Sequence, residues 1–279
     1  LKDSLKGHLR HWSRMLRDAS YRQRAFERHR LERTQPYTAT TTTLLGQPFE
    51  IVDAPSFLEM HEQIWEREIY RFKPRRDKPL ILDCGANIGL SVLFFKQNYP
   101  DCSIVAFEPD DTVFKVLERN MRRTGLRSVE LVPRAIWTEA TTLPFYSEGS
   151  YGGRVAREGD PLTRSVRTIR LRDYLDRPVD LLKLDIERGE TEVLEDCYDR
   201  LKSVDHLFVE YHGAEGEPQK LPRLLALLAG AGFRVNVHAG NDSPNPFVAR
   251  KLNMGNDLQL EIFAFRETPR LPTRTNDPI

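Results

Sequence analysis

The chain has 279 residues, 39% of them hydrophobic and 30% charged, with a formal net charge of +1. That length accommodates one large domain, or one domain with an appendage, and the composition is that of a soluble globular protein. The near-zero charge gives no whole-protein field for nucleic acid, and no apolar run approaches the ~20 residues that span a bilayer.

In chain order, residues 1–34 are rich in Arg and Lys and carry Leu5, Leu9, Trp12, Leu16 and Phe26 as a loose amphipathic stripe, which predicts helix. The segment has no apolar h-region of a secretory signal, and an opening residue other than Met reads as a trimmed chain. Its basic residues could grip an acidic partner or RNA, but a solvated helical face is the commoner explanation. A Thr-rich stretch follows, with Gly46-Gln47 as the turn of a small hairpin. Phe57, Met60, Ile64, Trp65, Ile69 and Tyr70 approach helical spacing and predict a helix from Ser56 to about Phe72. The polar, Pro-bounded KPRRDKP (73–79) marks a border. It sets an N-terminal appendage over 1–78, serving as lid, dimer contact or substrate cap, against a main domain over 79–279.

From Leu80 onward apolar strands and amphipathic helices alternate. Strands are expected at Leu80–Cys84, Ser103–Phe107, Val129–Val132, Leu181–Asp185, His206–Tyr211, Phe233–His238 and Leu258–Phe265. Helices are expected at Ile88–Asn98, Thr112–Arg123, Thr191–Leu201 and Lys220–Ala231. This alternation predicts an α/β fold: a mostly parallel sheet covered on both faces, its last two strands an antiparallel pair at one edge. Residues 138–170 interrupt the pattern, with TTLPFYSE pairing locally and the following stretch a long loop. Cys84, Cys102 and Cys197 lie inside these elements without metal-ligand spacing and read as buried thiols of a cytoplasmic protein.

The first strand runs into DCGANIG, with Asp83, Gly85, Asn87 and Gly89 at every second position. Glycines let the backbone turn sharply beside a ligand, and such a turn at the carboxyl end of a parallel strand is the usual ligand crevice of an open α/β sheet. The spacing is not the G-x-G-x-x-G of a dinucleotide site. It resembles the D/E-x-G-x-G/N-x-G turn of S-adenosylmethionine-dependent methyltransferases. The next strand ends in Glu108, about 20 residues on, where a carboxylate can accept both ribose hydroxyl protons. Beyond Val132 comes PRAIW, where methyltransferases of this fold place residues near the adenine. Ala135 and Ile136 stand there, although apolar packing explains them equally well.

Two later strand ends concentrate charge. In LLKLDIERGE, Lys183 lies inside an apolar strand, where an unpaired charge is costly, and Asp185, Glu187 and Glu190 follow. In HLFVEYHG, alternation puts Glu210 and His212 on one side of the strand and Tyr211 on the other. His212 has the ordinary pKa of a general base for a hydroxyl acceptor. Asp185 and Glu210 could orient acceptor or base, or hold a divalent ion such as Mg2+.

As a set, DCGANIGLS, VAFEPD, RAIW, KLDIE and VEYH resemble the FkbM-type methyltransferases over Leu80 to Gly213. The resemblance implies a Rossmann-like seven-stranded domain and methyl transfer from S-adenosylmethionine to a hydroxyl of a small molecule, sugar or natural-product scaffold. It implies cofactor contacts at Asp83, Gly85, Ala86, Asn87, Gly89, Glu108, Pro109, Ala135, Ile136 and Asp185. Lys183, Asp185, Glu187, Glu190 and Glu210 fall on the family's charged positions, and Lys183, Asp185, Glu210 and His212 are the catalytic candidates. One departure stands out. The family's K-x-D-x-E-G-x-E has Arg188 here in place of its Gly. The segment Ser147–Arg167, with Arg154, Arg157 and Arg164, and the appendage are expected to cover the acceptor. Those arginines could recognise an anionic acceptor, although a flexible basic loop is the safer reading. A homo-oligomer through the appendage is the partner expectation, alongside the small-molecule acceptor. The competing readings are a non-catalytic binding module using the basic N-terminus, a nicotinamide-dependent oxidoreductase, and N-methylation of nucleic acid. No Asn/Asp-Pro-Pro-aromatic segment supports the last.

Overall fold

The computed structural model describes residues 18–147, 152–156, 160, 163–241 and 243–267. Leu5, Leu9, Trp12, Leu16 and Arg157 lie outside them. Helix α1 (Ala19–Glu32) leads to the hairpin β1 (Thr40–Thr42) and β2 (Phe49–Ile51), then to α2 (Ala54–His61). Asp53 caps α2, accepting from the Ser56 amide, and Pro55 lies in its first turn, where its missing N–H leaves no bond unmade. At Glu62–Glu66 the helix widens into one π turn, so the single helix expected to Phe72 ends near Glu66.

The main sheet is mixed, with seven strands. They are β3 (Leu80–Cys84), β4 (Ser103–Phe107), β5 (Val129–Val132), β10 (Val179–Leu184), β11 (Val204–Ala214), β12 (Arg234–Asn241) and β13 (Asn256–Phe265). Their spatial order is β12-β13-β11-β10-β3-β4-β5. The run from β11 to β5 is parallel, and β13 is antiparallel to both of its neighbours. The expected edge pair is therefore present, with β13 inserted between β11 and β12. The chain order reverses between β3 and β10, so the ligand crevice of such a sheet lies where Cys84 and Leu184 end.

Alternation sorts each strand between two cores. Ile81, Ala106, Leu181 and Phe208 face α3 (Leu90–Asn98) and α4 (Asp111–Thr124). Leu82, Phe107, Leu184 and Val209 face α5 (Glu190–Asp196) and α6 (Leu221–Gly230). Residues Leu90 through Lys96 of α3 are all buried because the N-terminal segment covers the side the sheet does not, and an all-round apolar helix needs such cover. Phe94 meets Trp65 edge-on at 5.8 Å, and Phe95 meets Tyr70 at the same distance. Leu31, Phe49, Phe57 and Ile64 belong to the same core, so the border at 78/79 does not separate two cores. Its arginines tie down instead: Arg76 lies 3.0 Å from buried Asp180 and 2.9 Å from Asp205.

Among the described residues the interruption at 138–170 carries three strands: TTLPFYSE pairs locally, as expected, and Arg154–Val155 and Thr163–Arg170 replace part of the expected long loop with strand. β6 (Ala135–Trp137), β7 (Thr142–Tyr146), β8 (Arg154–Val155) and β9 (Thr163–Arg170) form a second sheet in the order β6-β9-β7-β8. The three cysteines are free and buried. No helix among the described residues is long and apolar enough to cross a membrane.

Candidate active site

The crevice at the switch point opens into a cavity lined from the ends of both β3 and β10. One end is the turn after β3. Gly85 has φ +88°, and a Cβ there would stand 1.8 Å from the Asp185 carbonyl oxygen, so only glycine lets the two central strands close this tightly. Asn87 takes φ 49°, and its amide donates to Glu108 Oε2 at 3.0 Å. The Asp110 amide donates to Glu108 Oε1 at 2.8 Å. Burial pushes the Glu108 carboxyl up to about 7. A carboxylate oxygen accepts more than one bond, so Glu108 retains acceptor capacity toward the cavity it lines. These residues fit a ligand with an amino-acid end and a ribose.

Gly85, Ala86, Asn87, Glu108, Pro109, Ala135, Ile136 and Asp185 all line this cavity. Asp83 and Gly89 are absent from its wall. Asp83 shares the face of Ile81, turns into the core, accepts from Ser91 Oγ at 2.5 Å and lies 3.4 Å from Lys183 Nζ. A Cβ on Gly89 would stand 2.6 Å from Leu117 Cδ1, so this glycine serves helix packing.

The opposite end is charged. Lys183, 2% exposed, donates to Gly85 O at 2.8 Å and lies 3.2 Å from Asp185. Burial opposes its charge, but Asp185 and Asp83 outweigh burial and hold its pKa well above the ordinary value. Glu210 accepts from Gln259 Nε2 through Oε1, and burial, then the charge of Asp185, raises its carboxyl to about 8. Burial also raises Glu187 to about 7.

His212 departs from the expected role of base. It stays off this cavity's wall and borders a neighbouring one with Glu190 and Trp137. Its Nδ1 lies 3.1 Å from Glu190 Oε1 and its Nε2 3.4 Å from Glu187 Oε2. Burial disfavours the imidazolium, yet Glu187 and Glu190 more than compensate and hold its pKa well above the ordinary one. A ring kept protonated by two carboxylates accepts no further proton; it neutralises them. The side chains that converge as possible metal ligands among the described residues are Asp185, Glu187 and His212, within 4.8 Å of one another. The expected Asp185–Glu210 pair for Mg2+ is not that set.

Arg188 takes φ 93°, which explains the glycine of the family pattern, and follows Glu187 at φ 56°. Its guanidinium donates to Asn256 Oδ1 at 2.9 Å, Gly255 O at 3.2 Å and Met254 O at 3.3 Å. It ties down the turn before β13 while lining the cavity. Arg154 is likewise engaged, by Asp160 at 2.7 Å, and sits over the Tyr146 ring. The sequence reading expected the appendage to cover the acceptor but did not name Ser56, Glu59, Met60, Gln63 and Tyr70 as its wall residues, and it missed Asn253 and Gln259 from the far end. Gln259 and Glu261 do leave a trace, as polar residues alternating with Leu258, Leu260 and Ile262.

A doubly covered α/β sheet with a glycine turn and a carboxylate-rich chamber at its switch point is the arrangement of a methyltransferase. Residues 83–235, more than half of the chain, match the family described as the methyltransferase FkbM domain, and the chain belongs to that family. Methyltransferase 1 of Beauveria bassiana is 26% identical over 212 residues, covering 66% of this chain and 84% of its own. Methyltransferase sdnD of Sordaria araneosa is 29% identical over 227 residues, covering 67% and 86%. The 31-O-demethyl-FK506 methyltransferase FkbM of Streptomyces tacrolimicus is 26% identical over 196 residues, covering 57% and 74%. The nicotinamide-dependent alternative falls away with this assignment.

Proposed function

We propose that this methyltransferase uses S-adenosylmethionine and directs the methyl group to a hydroxyl oxygen of a small-molecule acceptor. The observation that carries the reading is the single cavity joining the Gly85–Asn87 turn and Glu108 to Lys183, Asp185 and Glu210. When bound, S-adenosylmethionine supplies an electrophilic methyl carbon. The Gly85–Asn87 turn receives its amino-acid end and Glu108 accepts from its ribose hydroxyls. Lys183, fixed by Gly85 O and Asp185, holds the carboxylates of the acceptor end in place.

Glu210 is the proposed base, replacing His212. Its Oε1 is held by Gln259, leaving Oε2 of the ionised form to take the acceptor's proton, and that form gains as pH rises through about 8. Positioning of the hydroxyl against the methyl group supplies much of the remaining acceleration. The hydroxyl direction draws support from the name of the Streptomyces relative, a 31-O-demethyl-FK506 methyltransferase. No step is assigned to Mg2+.

The test is calorimetric titration with S-adenosylmethionine of the wild type and of Glu108→Ala, followed by transfer of labelled methyl to a panel of hydroxylated natural products. Saturable binding weakened at least about tenfold in the variant supports the reading, since Glu108 would lose charged hydrogen bonds to two hydroxyls. Absence of binding to the wild type overturns it.

A further inference from the structure

Tyr70 is a buried polar residue of the cavity wall that the mechanism above leaves unused. It lies outside the family match, in the N-terminal segment, and reaches the same cavity as Gly85, Lys183, Asp185 and Glu210. Only 6% of the residue is exposed, and among the described residues none hydrogen-bonds its hydroxyl. Tyr70 lines the cavity, so its hydroxyl is left to whatever occupies that space. The ring cannot swing away to find one. It is pinned edge-on to Phe208 at 4.9 Å and against Phe95 at 5.8 Å. Lys183 Nζ lies 5.8 Å from the ring centroid, and the carboxylates of Asp185 and Glu210 line the same wall.

We propose that Tyr70 is the residue that recognises the sulfonium methyl end of S-adenosylmethionine and so separates the methyl donor from the demethylated product. This rests on the function proposed above. Tyr70 shares one cavity with the residues assigned to the amino-acid end and with the proposed base, and the sulfonium is the atom that joins the two halves of the cofactor. Donor and product differ by one methyl group and one positive charge. A phenol oxygen and an aromatic ring are both favourable neighbours for a cationic, polarised methyl group, and neither gains from a neutral thioether. A residue of this kind favours release of product after transfer.

The experiment compares calorimetric affinities of wild type and Tyr70→Phe for three ligands: S-adenosylmethionine, sinefungin, which carries an amine in place of the sulfonium, and S-adenosylhomocysteine. The variant keeps the ring and removes only an oxygen that no protein group holds, so its Tm is expected to stay within about 1 °C of the wild type. S-adenosylmethionine is expected to bind about two- to fivefold more weakly and sinefungin, whose ammonium can donate to the phenol oxygen, about tenfold, with S-adenosylhomocysteine changed by less than about 1.5-fold. Equal weakening of all three ligands overturns the proposal, because that is the signature of disturbed packing. So does no change in any of them. If the wild type binds none of the three, the cofactor assignment itself fails.

Discussion

Arg188→Gly separates backbone strain from side-chain function at the one place where this chain departs from its family's pattern. At φ 93° an L side chain costs about 1–2 kcal/mol, which glycine would recover. The extra freedom of glycine in the unfolded chain offsets about 0.5–1 kcal/mol of that gain. Against the remainder stand the guanidinium bonds to Asn256 Oδ1 at 2.9 Å and to the Gly255 and Met254 carbonyls at 3.2 and 3.3 Å. The first is short, and Asn256 is only 3% exposed, so its loss strands a buried acceptor at about 1–3 kcal/mol. The two other bonds are longer, the one to Gly255 is also exposed, and they count for less. The balance is a net loss of about 1–2 kcal/mol, concentrated on the Asn253–Asn256 turn. Two observables follow. Chemical denaturation should show a small fall in midpoint. Hydrogen exchange should show faster exchange at the Asn253 and Asn256 amides, which bond each other's carbonyls at 3.0 and 2.8 Å. A variant more stable than the wild type, with unchanged exchange at those two amides, would refute the anchoring role and leave Arg188 as strain alone.

Gly85→Ala should be far more damaging than Gly46→Ala, although both glycines have positive φ, at 88° and 81°. A Cβ at Gly85 meets Asp185 O at 1.8 Å and at Gly46 meets nothing within 4 Å, so about 1 kcal/mol is expected at Gly46 and about 3–5 kcal/mol at Gly85; equal denaturation midpoints would contradict the steric argument. Glu210→Gln should change how stability depends on pH. The folded carboxyl binds its proton up to about 8 while an unfolded glutamate releases it near 4.3, so the folded state holds more protons across that window. Wild-type stability contributed by this group is therefore complete below about pH 4 and is lost as pH rises through about 8. The variant should show a shallower decline and an advantage that grows between pH 5 and about 9, measured as Tm at each pH; a difference independent of pH would sink the assignment.

Local sequence carried the sheet and the cofactor half of the site. β3, β4 and β5 fall where the apolar runs predict them because buried parallel strands read as continuous hydrophobic segments between turns. The strand Thr163–Arg170 stayed hidden because its TRSVRTIR has no apolar alternation and its first three residues are exposed. The π turn at Glu62–Glu66 was equally illegible. The 3.6-residue spacing of Phe57, Met60 and Ile64 is genuine, but Trp65 is drawn onto Phe94 by tertiary packing. Asp83 shows the limit of reading strand ends. An acidic residue there can face ligand or core, and its shared face with Ile81 decides for the core. His212 was legible as a residue on the same face as Glu210, but not as one flanked by Glu187 and Glu190, because that enclosure depends on a turn with three successive positive φ values at Glu187, Arg188 and Gly189.

The bounds of the family match divide the cavity unequally. Residues 83–235 supply the glycine turn, Glu108, Lys183, Asp185 and Glu210, the groups proposed to hold the methyl donor and move the proton. Glu59, Met60, Gln63 and Tyr70 come from before that stretch and Asn253 and Gln259 from after it. The two flanks reach the site in different ways. The first is welded to it through the core around Phe94 and Phe95, and the second through the guanidinium of Arg188 and the bond from Gln259 to Glu210. Tyr70 apart, a change in either flank therefore acts on the acceptor end while leaving the turn after β3 intact. Acceptor preference in this chain should follow residues 54–64 and 253–259, and affinity for the methyl donor should follow residues 83–235 together with Tyr70.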